Sequence, residues 1–357
     1  MDVSAHSRRL RMTLQDRPAT LADVALRAQV SVPTASRVLN GGIRGRESGD
    51  PTLRARVREA AEELGYAPSA AARTIKGGRS QSIAVIVNSI EDLGSTVMIG
   101  GIMHAAEDRD LAVAVRTTRD DSARELEVLR QLRGDRPRAV IVATSRTSDS
   151  AREERVGKEL VLLRRQGARI VVIGDSALPF PKVTVDAANA AHELARGLAA
   201  TGARRFAVVS GPEHEITAQT RLQGFLAGLH EAGVAVPQRF IAHAEFSRDG
   251  GVDAVHAFGT ALQSVDVIAA MSDALAVGAI IGLRRLGLAV PRDVLVSGFD
   301  HIGVVSDLVP TLSTVRIPLA EMGQAAVAVA MNDGLADDHH EVLPHQVVLP
   351  CTPGEAS

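Results

Sequence analysis

The spacing of hydrophobic residues along this chain of 357 residues changes near residue 80. Before that point, apolar residues recur at helical spacing in three short stretches, which predict helices at 20–28, 32–40 and 52–64. From Ser82 onward, short aliphatic runs alternate with amphipathic stretches of helical period. Buried strands that alternate with helices indicate an α/β fold built on parallel sheet.

The alternating region is long enough for two sheets. At about 270 residues it exceeds what one doubly wound sheet needs, so the sequence predicts two subdomains of this kind. Strands are predicted at 83–87, 111–115, 139–143, 170–173, 206–210, 267–270 and 294–299, and helices at 123–132, 187–201, 219–232 and 274–286.

Local signals connect the first two helices through a tight turn. Thr20 is predicted to cap the first helix, with Asp23 in its first turn, where the helix dipole favours a carboxylate. Residues 29–31 form the turn, and Ser31 caps the second helix. These are the elements of a helix-turn-helix, whose second helix lies in the DNA major groove. Any three-helix unit could show the same apolar spacing, so the pattern alone leaves a structural role open.

Charge is distributed unevenly along the chain. Residues 1–79 hold 14 Lys and Arg against 8 Asp and Glu, a net +6, whereas the remainder is net −8, which gives the overall −2. A basic module on an acidic body is expected when one part of a protein contacts nucleic acid. A solvated basic tail would give the same balance.

Composition narrows the chemistry further. Aromatic residues make up 2%, so the core is expected to be aliphatic. A single cysteine, Cys351, excludes an internal disulfide and a Cys-rich zinc site and fits a reducing compartment. Neither the polar segment 1–17 nor the apolar segment 273–290, which is interrupted by Arg284 and Arg285, has the pattern of a targeting or membrane-spanning segment. The sequence therefore predicts a cytoplasmic protein with no membrane partner.

The second helix carries the candidate DNA-reading chemistry. Arg37 could read guanine through O6 and N7, while short polar side chains suit phosphates and apolar ones suit a thymine methyl. On these grounds alone Arg37 could equally be an ordinary surface arginine. The predicted exposed face comprises Val32, Pro33, Thr34, Ser36, Arg37 and Asn40.

Several strings resemble one known family. The segment 20–40, TLADVALRAQVSVPTASRVLN, closely resembles the N-terminus of the LacI/GalR family of bacterial transcription regulators, and 66–76, YAPSAAARTIK, resembles the hinge-helix segment of that family. The resemblance extends over about residues 18–350. In the family's order and spacing stand RLQGF at 221–225, SDALAVG at 272–278, VPRD at 290–293, GFD at 298–300 and LSTV at 312–315.

The resemblance implies roles for individual residues of the DNA-binding part. Val32, Pro33 and Arg37 match base-reading positions. Ala72 and Ile75 match the hinge helix, where an apolar residue at the second position wedges into the minor groove. Lys76 is placed to reach a flanking phosphate. Positions that match phosphate contacts or headpiece positioning are Thr20, Ser31, Thr34, Ser36, Asn40, Thr52, Tyr66 and Ser69.

The rest of the chain resembles a periplasmic-binding-protein-like sensor with an effector between two Rossmann-like subdomains. Arg221 and Asp300 match the family's most general ligand contacts, and a fork-shaped donor facing a carboxylate suits a polyhydroxylated or purine-like molecule. A structural ion pair or a helix cap remains the alternative for these two residues. Phe246 matches a stacking position, and Ser272–Asp273 stands where Asn–Asp is commoner.

Two departures from the family pattern stand out. Gln29 occupies a turn position where Gly is usual, at a cost of about 1 kcal/mol if the residue is left-handed. Within 90–97, Gly94 and Ser95 stand where the family often has aromatic residues that line the cleft. We therefore expect an effector pocket that is less aromatic than a typical sugar site.

The sequence thus predicts a small all-α helix-turn-helix headpiece followed by an α/β periplasmic-binding-protein-like domain of two Rossmann-like subdomains. The expected function is that of a homodimeric repressor that binds pseudo-palindromic double-stranded operator DNA under control of a small-molecule effector, such as a sugar, a nucleoside or a related polar metabolite. The predicted parts are a flexible extension (1–17), the headpiece (18–67), a hinge helix and linker (68–80) and the effector and dimerisation domain (81–351), with an N-subdomain at 81–185 and 314–341 and a C-subdomain at 186–313 and 342–351.

Enzymatic activity is not expected. The chain has no dinucleotide fingerprint after a strand, no Walker A motif, no nucleophile elbow and no metal-spaced histidine pair, so no catalytic residue, metal site or cofactor is predicted. His339 and His340 are predicted to be solvated in a polar loop. A solute-binding protein of periplasmic type is the alternative function, against which the basic headpiece argues.

Overall fold

The computed structural model describes residues 18–40, 50–67 and 80–349, except for the side chain of Asn40. The chain forms two compact units that divide between Ser80 and Gln81. The predicted N-terminal extension, the loop after Asn40 and the predicted hinge helix at 69–76 lie outside the described residues. Within the described part, no helix has the length and apolar character needed to cross a membrane.

The first unit is a three-helix headpiece made of α1 (Leu21–Arg27), α2 (Val32–Asn40) and α3 (Pro51–Glu63). Thr20 caps α1, as the sequence predicts, and Asp23 bonds back to Thr20, which makes the cap a reciprocal capping box. Gln29 has φ of 54°, so the turn does require the left-handed conformation that Gly would adopt more easily. A small aliphatic core joins the three helices: Val24, Ala25, Ala28, Ala35, Val38, Val57, Ala60 and Ala61.

The first subdomain of the second unit contains a parallel six-stranded sheet in the order β11-β5-β4-β3-β1-β2. Its strands are β1 (Ser82–Val87), β2 (Ala112–Thr117), β3 (Ala139–Ala143), β4 (Arg169–Ile173), β5 (Lys182–Val185) and β11 (His340–Leu343). Its helices are α4 (Leu93–Glu107), α5 (Ser122–Asp135), α6 (Ser150–Arg165) and α12 (Leu319–Met331).

The second subdomain contains a parallel sheet in the order β7-β6-β8-β9, from β6 (Phe206–Ser210), β7 (Ile241–His243), β8 (Val267–Ala270) and β9 (Leu295–Ser297). An antiparallel pair, β10 (Thr314–Arg316) and β12 (Gln346–Val348), lies beside it, because Ser313 bridges Ser297 at the end of β9. The helices are α7 (Ala187–Ala200), α8 (Ile216–Glu231), α9 (Arg248–Phe258), α10 (Asp273–Arg285) and α11 (Gly303–Leu308), and 3₁₀ turns lie at Gln238–Phe240 and Gly259–Ser264.

The predicted fold class is confirmed, with corrections to its details. Each of the seven predicted strands exists, but β5, β7, β10, β11 and β12 were not predicted, because three or four residues carry too little periodicity. His340 was placed in a loop, yet it begins β11, and its Nε2 lies 2.6 Å from Thr184 Oγ1. The structure also places 314–316 beside the second sheet and 342–343 in the first, so the chain crosses between sheets a few residues away from the predicted positions.

The parallel sheets of the second unit, with helices on both faces, indicate where its ligand would bind. The carboxyl ends of β1, β2 and β3 lead into residues 88, 118–120 and 144–148, and those of β6 to β9 lead into 211, 244–246, 271–272 and 298–300. In such folds ligands bind outside the carboxyl ends of the strands. Backbone bonds join the two sets of loops directly, since Ser148 N donates to His214 O at 2.9 Å.

Candidate DNA-reading and effector sites

Helix α2 presents the predicted base-reading side chains to solvent. Val32 is 44% exposed, and Pro33 and Arg37 are also exposed. Arg37 forms no hydrogen bond or ion pair with the described residues, so its five guanidinium donors are available to a partner. Ser31 Oγ accepts from Thr34 N at 3.3 Å and caps the amino end of α2, which is exposed and carries the positive end of the helix dipole.

Ser36 is an exception and corrects the predicted exposed face of α2. Its side chain is only 2% exposed, because it lies next to Ala35 on the flank of the helix that packs into the headpiece. The predicted contact of Ser36 with a phosphate stays a prediction.

The other predicted DNA contacts have mixed environments. Thr20 is exposed, but its hydroxyl is engaged with Asp23 at 2.7 Å in the capping box. Thr52 is exposed in the first turn of α3, where its backbone N–H donates to Asp50 Oδ1. Tyr66 is half-buried and packs against the headpiece core. The side chain of Asn40 and the predicted hinge-region contacts Ser69, Ala72, Ile75 and Lys76 lie outside the described residues.

In the second unit, Arg221 and Asp300 form a shielded ion pair. Arg221 projects from α8, and its Nη2 donates to Asp300 Oδ1 at 2.9 Å while its Nη1 donates to Met271 O at 2.7 Å. The two side chains are 13% and 15% exposed, so each is largely withdrawn from water but still reachable from the cleft. Arg221 Nε is buried without a partner among the described residues, so its N–H remains an unused donor.

The backbone of Asp300 is held in an unfavourable conformation. Its φ is 113°, and the following residue, His301, has φ of 56°. Hydrogen bonds to β10 hold this turn, because Asp300 N donates to Val315 O at 2.9 Å. Burial raises the pKa of Asp300 to about 7 against the opposing effect of the Arg221 guanidinium. Local strain kept in place by surrounding structure is a frequent property of ligand-binding sites.

Two aromatic rings lie beside the guanidinium group of Arg221. The guanidinium carbon of Arg221 lies 4.2 Å from the ring centre of Phe299 and 6.0 Å from that of Phe246, distances at which a cation is attracted to the ring face. Phe246 also packs against Gly211, where a Cβ would lie 2.3 Å from the ring. Gly211 therefore permits the position of the Phe246 ring.

The structure places Ser272 and Asp273 inside the second subdomain rather than on the cleft surface. Ser272 Oγ caps α10 by accepting from Leu275 N, and both residues are buried. Asp273 Oδ1 accepts from Thr314 Oγ1 at 3.0 Å, and its Oδ2 accepts from Ile302 N at 2.6 Å. These bonds attach α10 to β10 and to the Asp300 turn, which corrects the predicted direct contact of Asp273 with an effector to a positioning one.

The structure also brings together carboxylates that the sequence analysis missed. Asp92 caps α4 by accepting from Ser95 N at 2.7 Å, and Asp120 lies in a left-handed turn after β2. Glu215 precedes α8, and Glu245 follows β7. Their positions just after strands or just before helices are a sequence signal, but only the facing of the two sheets brings them to one cleft.

The first-subdomain side of the cleft contains no aromatic residue. Gly94 and Ser95 lie in the first turn of α4, and the one aromatic residue of this subdomain, Phe180, is buried in its own core. This arrangement agrees with the expectation of a cleft poor in aromatic side chains. Phe246 is the aromatic contribution from the second subdomain.

Family models match both units of the chain. Residues 20–69 match the model of bacterial regulatory proteins of the lacI family, and residues 195–355 match that of a periplasmic binding protein-like domain.

Curated relatives are similar over nearly the whole chain. Catabolite control protein A of Priestia megaterium is 27% identical, covering 92% of this chain and 97% of the relative. The HTH-type transcriptional repressor CytR of Escherichia coli (strain K12) is 28% identical, covering 89% and 90%. The ribose operon repressor of the same strain is 29% identical, covering 88% and 92%.

Solved structures share the fold. The lac repressor dimer bound to operator and an anti-inducer superimposes with a TM-score of 0.78 at 22% identity, covering 93% of this chain and 98% of that chain. A LacI-family regulator from Silicibacter pomeroyi gives 0.76 at 25% identity with the same coverage. The relatives with assigned roles are transcriptional regulators rather than enzymes. The chain joins a DNA-binding domain of the lacI family to a periplasmic binding protein-like domain and is a DNA-binding transcriptional repressor with a sensor domain for a small molecule.

Proposed function

We propose that this repressor reads its operator through Arg37 and its neighbours on α2 and senses a polar metabolite through Arg221 and Asp300. Two headpieces of a homodimer would occupy the half-sites of a pseudo-palindrome, as two-fold symmetric helix-turn-helix proteins do. Operators lie on chromosomal DNA, so we place the protein in the cytoplasm, at the nucleoid when bound.

Helix α2 supports the DNA half of the proposal. Its amino end is capped and exposed, so the N–H groups and dipole of the helix can meet the phosphate backbone. Arg37 lies further along the same exposed side and has no competing partner among the described residues. Val32 and Pro33 offer apolar contact to a thymine methyl group.

The effector half rests on one observation, the Arg221–Asp300 pair at the carboxyl ends of the second sheet. Together the two side chains offer donors and acceptors in a shielded, prearranged geometry, and Phe246 provides an apolar surface beside them. One relative is a ribose operon repressor, and one solved structure of the same fold is a complex of a transcriptional regulator with cellobiose, so a sugar, nucleoside or related polar metabolite fits the site. Asp273 holds the Asp300 turn in place.

Coupling between effector and DNA would run through the angle between the two subdomains. A ligand that contacts both sides of the cleft stabilises one angle over another, and it shifts the equilibrium only by its difference in affinity for the two states. Such coupling is typically about 1–3 kcal/mol.

A selection from random duplex DNA tests this function. The full chain should enrich a pseudo-palindromic sequence, and fluorescence anisotropy should then show tighter binding to that duplex than to one with both half-sites scrambled. A metabolite panel screened by thermal shift should yield a compound that changes the anisotropy titration. Failure to enrich any sequence, together with equal binding to the scrambled duplex, would contradict the proposal.

A further inference from the structure

The cleft of the second unit is strongly acidic. Two arginines act on this region, but Arg221 is already paired with Asp300 and Arg152 with Glu125. Burial raises the pKa of Asp120, and the Glu245 carboxylate raises it further, so these two groups influence each other from opposite subdomains. The carboxylates at this site are Asp92, Asp120, Glu215, Glu245 and Asp300.

Glu215 is the member of this cluster that has a buried carboxyl oxygen without a partner. It is 6% exposed, and its Oε2 is buried with no hydrogen-bond partner among the described residues. Ser145 is hydrogen-bonded to the carboxyl group, and Asn88 Nδ2 in turn donates to Ser145 Oγ at 3.0 Å, which fixes the side chain at the ends of β1 and β3. Burial raises the pKa of Glu215 to about 7, with Asp120 and Glu245 adding to the effect. A buried polar atom without a partner is costly, so an external donor would be favoured here.

The nearby arginines Arg152 and Arg146 do not act as the missing hydrogen-bond donor to Glu215 Oε2. Arg152 Nη2 is bound to Glu125 at 3.1 Å and is 13% exposed. Arg146 is fully buried between Glu125 and Glu153, each at 2.9 Å. Both arginines are bound to carboxylates of the first subdomain. The charge of Arg152 opposes the rise in the pKa of Asp120 and Glu215, but neither arginine donates a hydrogen bond to Glu215 Oε2.

The arrangement favours an organic cation over a metal ion. Within the described ranges, no group of three or more His, Cys, Asp or Glu side chains is close enough to hold a metal. The carboxylates are instead spread over both sides of the cleft, and Phe246 lies directly after Glu245 with its ring beside Arg221. Dispersed carboxylates beside an aromatic face suit an ammonium group carried on a larger polar body.

We propose that the effector of this repressor is a polyhydroxylated amine, such as an amino sugar, whose ammonium group lies among Asp120, Glu215 and Glu245. Its hydroxyl groups would meet Arg221 and Asp300. This inference rests on the effector site proposed above and specifies the class of molecule that the site selects.

Matched ligand pairs test the charge requirement. We would titrate the full chain with D-glucosamine against D-glucose, D-galactosamine against D-galactose, and glucamine against glucitol, following thermal shift and release from the selected operator. At least one amine should raise the melting temperature and change operator affinity, while its neutral twin has no effect at the same concentration. Equal or stronger effects of the neutral twins, or no effect of any amine, would overturn the inference.

The variant Glu215→Gln tests the assigned residue. The amide has the shape of the protonated carboxyl group, so folding is expected to be retained, but the affinity for the active amine should fall by at least about tenfold. The matched control is Glu213→Gln, an exposed carboxylate two residues away whose Oε1 lies 3.4 Å from His243 Nε2, and its affinity should stay within about twofold. Unchanged amine affinity in folded Glu215→Gln, judged by its melting temperature, would overturn the assignment.

The experiment separates this inference from the proposed function. If neutral sugars release the operator and amines do not, the repressor function stands and the amine proposal fails. If no sequence is selected from random DNA, the proposed function itself fails, and the thermal shifts alone then report whether the cleft selects amines.

Discussion

The backbone N–H of Ile216 donates a 2.9 Å hydrogen bond to the carbonyl oxygen of Arg146, and this bond joins the two subdomains across the cleft. Thr147 and Glu215 face each other in the antiparallel bridge beside it. The side chain of Arg146 is held in place, because its guanidinium is fully buried and binds both Glu125 and Glu153. The acidic cleft residue Glu215 is therefore held against a rigid support.

Removing the charge of Arg146 should destabilise the sensor strongly. In Arg146→Ala, Glu125 and Glu153 would lose their shared guanidinium inside the protein, and breaking a buried pair in this way costs about 3–5 kcal/mol. Urea unfolding followed by circular dichroism measures the change. Glu154→Gln is the control, because it breaks an exposed pair with Lys158 on α6 and should leave the urea midpoint nearly unchanged. Similar losses of unfolding free energy in the two variants would contradict the stabilising role of Arg146.

Glu215→Gln should stabilise the protein near pH 8 but not near pH 5. The pKa of Glu215 is about 7 in the folded chain against 4.5 as its ordinary value, so between these values the folded state keeps a proton that the unfolded state releases. This contribution to stability is present below pH 4.5 and is lost as the pH rises to about 7. The amide does not titrate.

The expected gain above pH 7 is on the order of 1–3 kcal/mol. Urea midpoints of wild type and variant at both pH values measure it. Asp120, Glu245 and Arg152 also face this group, so Glu213→Gln should be carried through the same titration as the control. The raised pKa of Glu215 is contradicted if the difference in unfolding free energy between Glu215→Gln and wild type has the same size at both pH values.

Arg37→Ala should reduce discrimination between the selected operator and scrambled DNA. A bidentate arginine–guanine contact contributes about 1–3 kcal/mol of discrimination, so the ratio of the two affinities should fall about tenfold to a hundredfold. Arg58→Ala, at an exposed arginine of α3, is the control. If Arg58 contacts a phosphate, Arg58→Ala should lower the affinity for both duplexes by the same factor. Anisotropy titrations at one salt concentration decide the outcome, and an unchanged ratio in Arg37→Ala would refute base reading.

Asp300→Asn should remove the effector response while leaving operator affinity within about twofold. The substitution takes away the carboxylate that faces Arg221 at 2.9 Å, and a hydrogen bond to a charged group contributes about 1.5–3 kcal/mol. Operator titrations with and without the active effector measure both quantities. Asp249→Asn, in an exposed pair with Arg248, should respond as wild type does. A normal response in Asp300→Asn would show that the effector binds elsewhere.

Local sequence signals predicted local structure well. The capping box at Thr20 and the left-handed turn at Gln29 depend on contacts within a few residues, so they could be inferred from the chain directly. The long aliphatic strands were equally clear, since each is buried on both faces. Ser36 was misjudged because its burial depends on how α2 packs against the other helices of the headpiece.

The sequence by itself determined the headpiece and the alternating α/β architecture, because these follow from short-range periodicity and capping. It pointed to Arg221 and Asp300 only through the resemblance of short strings to the LacI/GalR family. Only the tertiary structure decided that Asp273 is turned inward to Thr314 and that Glu215 meets Asp120 and Glu245. Both relationships join residues far apart in the chain. These residues come together only because the two sheets face each other, and no local sequence pattern encodes that arrangement.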